Sequence, residues 1–191
     1  MLERRLRLWS GLILTVYVIP HLINHAFGII SIDAMETVRG FLTLIWSNSV
    51  GGVLLYGSIL VHLGLALLAL FRRTTLRMPA WEAVQIAMGL LIPPLLMTHM
   101  IGTRLVRELV GIDITYSYVV AAIWFDSWMV AKQTAVLLVV WIHMAVGLHF
   151  WLRLKPWYGG SVRYLYPVAV LIPVLALLGF ARAGFEVAAR A

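Results

Sequence analysis

Apolar residues fall into long blocks separated by short polar stretches. The blocks run from about Leu8 to Ile30, Val50 to Phe71, Trp81 to Leu109, Val130 to Leu152 and Tyr164 to Phe180. A hydrocarbon core of about 30 Å takes roughly 20 helical residues to cross, so the pattern predicts five membrane-spanning helices. Arg72 and Arg73 stop the second block, and a PWYGG turn at Pro156 to Gly160 separates the fourth from the fifth. Pro93 and Pro94 predict a kink inside the third. Two connecting stretches differ from plain loops. From Ser31 to Asn48, Met35, Val38, Phe41, Leu42 and Ile45 recur at helical spacing, which predicts a helix lying on the membrane surface. Val110 to Trp128 carries Tyr116, Tyr118 and Trp124 and reads as interfacial.

Composition sharpens this picture. With 62% of residues hydrophobic and only 12% charged, well beyond a soluble domain, residues 1–191 read as one all-α, polytopic membrane bundle with two short interfacial helices. The net charge of +7 comes without a basic stripe or interleaved aromatics, so no nucleic-acid partner is expected; the lipid bilayer is. Cysteine is absent, so disulfides, iron–sulfur ligation and covalent haem attachment within this chain are excluded. The opening MLERRLR precedes an apolar run too long for a signal peptide, so a retained first span is expected. With the N-terminus cytoplasmic, that side holds Arg4, Arg5, Arg7, Arg72, Arg73, Arg77, Arg153, Lys155 and Arg163. The other side holds Arg39, Arg104, Arg107, Lys132, Arg182 and Arg190. That majority has the positive-inside sign. The tail GFARAGFEVAARA reads as a basic, alanine-rich helix without a stop signal, and the chain is expected to be the N-terminal part of a longer one.

All six histidines, His21, His25, His62, His99, His143 and His149, lie within predicted spans. Ionisable groups at membrane depth are costly and mark function. A single such histidine is readily an interhelical hydrogen bond. Four helices that each carry at least one point instead to bis-histidine haem, whose iron takes two axial imidazoles from facing helices. At about 1.5 Å per residue, His21 and His99 lie roughly 20–25 Å from the N-terminal side, and His62 and His143 roughly 15 Å from it. Depth therefore pairs His21 with His99 and His62 with His143. Gly64, Gly102 and Gly147 lie near these histidines and either admit a flat macrocycle or let helices approach closely. His25 and His149 are either alternative ligands or polar contacts; His25, beside Asn24, is placed to meet a haem propionate or a quinone. Arg104 and Arg107 either neutralise outer propionates or snorkel at the span end, and Arg104, like His25, is also a candidate quinone contact.

RLRLWSG leading to PHLIN, VHLGLALLALF, THMIGTRL and IHMAVGL, followed by a histidine-free fifth span, resembles the five-helix di-haem cytochrome b subunit of succinate dehydrogenases and fumarate reductases. The resemblance implies that His21, His62, His99 and His143 are axial ligands, cross-paired first with third and second with fourth. It also implies two haem b groups and quinone-linked electron transfer. LRLWSGLIL, HLINHAFGIISIDAME, LLYGSILVHLGLALLALFRRTTLRMPAWEAVQ and GFARAGFEVAA are closer still to N-terminal membrane anchors of bacterial class III adenylate/guanylate cyclases. That likeness implies a homodimer in the bacterial inner membrane whose haem state regulates a cytoplasmic cyclase output domain. Two rivals stand beside it: a subunit working with separate flavin and iron–sulfur dehydrogenase partners, and a haem-free transporter or structural anchor whose histidines carry protons.

Overall fold

The computed structural model describes residues 1–190, which are all-helical. Helix α1 (Leu2–Ala26) runs into a 3₁₀ turn, Phe27–Ile29, and is followed by α2 (Ile32–Trp46) and α3 (Ser49–Phe71). Helix α4 (Ala80–Met100) continues through a π-helical turn, Ile101–Leu105, into α5 (Val106–Val110). Then come α6 (Tyr116–Trp124), α7 (Ser127–Leu152) and α8 (Tyr158–Arg190). Five of these units are long and apolar enough to cross a membrane: α1 with its 3₁₀ turn, α3, the α4–α5 rod, α7 and α8.

The polar breaks in the apolar pattern are mostly helix caps. Ser31, Asn48, Thr115 and Asp126 each accept a backbone N–H from the first turn of the helix that follows them. Such caps satisfy donors that a helix N-terminus cannot satisfy itself. They start α2, α3, α6 and α7 within a few residues of the positions the sequence predicts. Gly111, with φ of 73°, closes α5 in the left-handed conformation that glycine adopts without strain.

Two predicted features change. The PWYGG turn is shorter than expected, because Tyr158 to Gly160 already form the first turn of α8. His149 Nδ1 lies 2.9 Å from the buried Tyr158 hydroxyl, which pins that turn to the end of α7. Helix α8 also runs past Phe180 to Arg190. The stripe predicted on α2 is split. Met35 is fully buried with Ile32 against Tyr116, Val120 and Ala183, whereas Phe41 and Ile45 are exposed. The first turns of α2 dock on the bundle and Trp46 at its end meets Tyr17, whereas Phe41, Leu44 and Ile45 between them face outward.

The spanning helices form two close pairs. α3 returns alongside α1, and Glu3 meets Arg72 at 3.0 Å where their ends come together. α7 returns alongside α4, with Trp81 stacked on Phe150 at 3.8 Å and Arg153 over the Phe150 ring. By contrast α1 and α4, and likewise α3 and α7, do not pack backbone to backbone. Helix α8 lies along α1 and crosses the 3₁₀ turn where Gly28 faces Gly179. In α8, Pro173 has no N–H to offer the Ala169 carbonyl four residues earlier. The Trp141 indole of α7 donates to that carbonyl at 2.7 Å instead. Trp141→Phe is expected to leave the carbonyl unpaired beside a buried ring, at about 1–3 kcal/mol. Thermal unfolding in detergent measures this loss.

Candidate functional site

The two depth-matched histidine pairs meet. The ring centres of His62 on α3 and His143 on α7 are 6.2 Å apart, and those of His21 on α1 and His99 on α4 are 6.1 Å apart. Within each pair the rings are steeply inclined, at 87° and 70°. No hydrogen bond joins the partners of either pair among the described residues. Two imidazoles bound to opposite faces of one metal ion, each through a nitrogen about 2 Å away, have ring centres about 6.3 Å apart. Both separations therefore suit a single metal between the rings.

The inner pair, His62 with His143, is held by one device used twice. His62 Nδ1 donates to the Arg7 carbonyl at 3.0 Å, and His143 Nδ1 donates to the Gln85 carbonyl at 3.1 Å. Four residues beyond each carbonyl stands a glycine, Gly11 or Gly89. A Cβ built on Gly11 would lie 2.9 Å from the His62 ring, and one on Gly89 2.8 Å from the His143 ring. Helical side chains lean toward the N-terminus, over the preceding turn. A side chain at either glycine would therefore cover the carbonyl that the imidazole uses. Glycine leaves that carbonyl open to a second donor and lets the Nδ1–Cε1 edge of the ring come up against the helix. Fixing Nδ1–H on a carbonyl fixes the tautomer, so that Nε2 is the free ligand atom, and raises its basicity. Gln85 strengthens the arrangement, since its side-chain amide donates to the His143 carbonyl at 3.0 Å.

The outer pair is built differently. Tyr17 stacks on His21 with ring centres 5.4 Å apart, and Trp46 meets Tyr17 edge-on. His25, one turn further along α1, is buried, and its Nε2 lies 3.4 Å from His21 Nε2. Beside it the buried Asn24 amide donates to the Tyr116 hydroxyl at 2.9 Å. Burial, reinforced by Tyr17 and Glu36, pushes the Tyr116 phenol up beyond its ordinary value, so it keeps its proton. Tyr116 N–H donates to Glu36, which also pairs with Arg39, so α6 is tied to α2 at the rim of the site. Asn24 Oδ1, His25 Nδ1 and His99 Nδ1 are buried without a hydrogen-bond partner.

Arg104 sits in the π turn. It pairs with Glu108 at 3.0 Å, lies over the Tyr56 ring, and lines an open groove of about 580 Å³ with Asn48 and Tyr56. The three glycines singled out from sequence do not face the rings: Gly64 and Gly102 face open space, and Gly147 abuts the Gln85 amide. His149 is taken up by Tyr158. Among the described residues, no three or more His, Asp or Glu side chains are grouped to hold a metal ion. A metal cage made wholly of protein ligands is thus not built here, whereas a haem iron asks for only two. No family model matches the chain, and neither a curated protein nor a solved structure is significantly similar to it.

Proposed function

We propose that this chain is a di-haem b membrane anchor for quinone-linked electron transfer, and that it serves as the redox-sensing domain of a cytoplasmic cyclase output. The observation that carries this reading is the repeated facing of two imidazoles about 6 Å apart, from helices that share few or no close backbone contacts. His62 and His143 would hold the inner haem, and His21 and His99 the outer one. Each bound haem supplies a one-electron iron couple within the low-dielectric bundle, tuned by ligand hydrogen bonds and burial.

The chain's own groups do the remaining work. The Arg7 and Gln85 carbonyls orient the inner ligands, and Gly11 and Gly89 let those rings approach their helices. Tyr17 buttresses His21. A proton path is the weaker reading, because both inner Nδ1 atoms are committed to carbonyls and no hydrogen bond crosses either pair. The proposed setting is the bacterial inner membrane with the N-terminus cytoplasmic, which places the His62–His143 pair toward the cytoplasm and the Arg104 groove outside.

A reduced-minus-oxidised spectrum with pyridine haemochrome quantitation tests the reading. We expect two b haems per chain. His62→Ala/His143→Ala should remove one of them and His21→Ala/His99→Ala the other. A chain produced with ample haem and purified without any would overturn the proposal.

A further inference from the structure

We propose that His25 is a second axial ligand for the position that His21 takes opposite His99, so that the outer haem exchanges one α1 imidazole for the other. This inference rests on the di-haem reading and concerns only its outer site. His21 and His25 are one turn apart on the same face of α1, with Nε2 atoms 3.4 Å apart and ring centres 4.9 Å apart. Both rings thus stand on the same face of α1, and His99 of α4 faces His21. The inner site has no such duplicate.

Hydrogen bonding makes the pair unequal to a fixed ligand and a bystander. Among the described residues the only hydrogen-bond partner of the His25 ring is His21 Nε2; its own Nδ1 is buried and has none. In this proposal His21 would bind the iron through the same Nε2. A nitrogen whose lone pair is given to iron cannot also serve as a hydrogen-bond acceptor. Ligation through His21 therefore strips His25 of its last partner in a site only 7% exposed. Ligation through His25 reverses the loss and leaves His21 stacked on Tyr17. Each state leaves one imidazole unsatisfied, so neither is strongly preferred, which is the condition for a populated exchange. Among the described residues His99 Nδ1 has no hydrogen-bond partner, so no carbonyl anchors the opposite ligand as the inner ligands are anchored.

The exchange has a route outward. The His25 ring meets the Tyr116 ring of α6 edge-on at 5.6 Å, and its backbone carbonyl abuts Gly179 of α8. A change of ligand at the outer haem thus bears on the last turn of α1 and, through it, on α6 and α8.

Low-temperature EPR of the oxidised, purified holoprotein distinguishes the possibilities. The wild-type outer haem should show two low-spin components. His25→Ala should keep only one of them, and His21→Ala should retain the outer haem, six-coordinate and low-spin, with only the other. The double variant should lose the outer haem while the inner signal persists. Two outcomes overturn the exchange: an outer signal that is single in the wild type and unchanged in His25→Ala, or an outer haem that is five-coordinate high-spin or lost in His21→Ala while the inner haem remains. The His25→Ala comparison decides the matter even if His21→Ala does not fold. A wild-type chain devoid of haem would instead remove the di-haem reading itself.

Discussion

Gly179→Val should unseat α8 from the bundle. A Cβ at this position would run into the His25 carbonyl and the Ala26 backbone, and across the same crossing a Cβ on Gly28 would meet the Gly179 carbonyl. These obstacles are backbone atoms, which cannot turn aside as the end of a long side chain can. Overpacking costs about 1–3 kcal/mol when side chains can adjust, and more when they cannot, so the upper end or beyond is expected. Gly28→Val should behave alike. Gly40→Ala, on α2 with nothing within 4 Å of its Cβ position, should be neutral or stabilising by up to about 1 kcal/mol. Thermal denaturation in detergent, followed by the fraction of monodisperse protein, ranks the three. A Gly179→Val protein as stable as wild type would mean that the α1–α8 crossing is looser than described.

Substitution of either inner-site glycine should be selective where Gly179→Val is global. In Gly89→Leu, the new side chain occupies the place of the His143 ring and covers the Gln85 carbonyl. The ring is pushed off the helix and its Nδ1 loses its acceptor, a loss of about 1–3 kcal/mol for a buried donor in addition to the displacement of the ligand. Gly11→Leu does the same to His62 and the Arg7 carbonyl. Under the di-haem proposal each variant should bind one haem per chain instead of two, with the outer spectrum intact. Gly64→Leu, next to His62 in sequence but facing open space, should keep both. Two haems retained in Gly11→Leu and Gly89→Leu would show that the carbonyl contact is dispensable for ligation.

That contrast shows how far the sequence could be read. The spans were legible because hydrophobic blocks of membrane length have few other uses, and breaks between them hold Ser31, Asn48 and Asp126, whose capping chemistry is local. The pairing of histidines was legible because depth along a straight helix needs only the rise per residue. The glycines were not. Gly64 is two residues from His62, which is about 200° around the helix and so on the opposite face. The glycines that matter to His62 and His143 belong to neighbouring helices, and finding them requires the register between helices, which no single-helix pattern contains. The extent of α8 was hidden for a related reason. Two adjacent glycines argue against helix locally, but the His149–Tyr158 contact holds that turn in place. The role proposed for His25 was half visible: its spacing from His21 puts both on one face, but only the three-dimensional packing shows its Nδ1 without a partner.

The division of the spanning helices into an α1–α3 half and an α4–α7 half has a bearing on biogenesis. Each half draws its helices together by contacts within itself, so the amino-terminal half can settle in the bilayer before His99 or His143 has left the ribosome. Every facing pair takes one imidazole from each half. A nascent chain that ended after Phe71 would carry His21 and His62 and complete neither pair. Capture of a ligand within the pairs would therefore mark the moment when the two halves have met, a step that does not wait for α8.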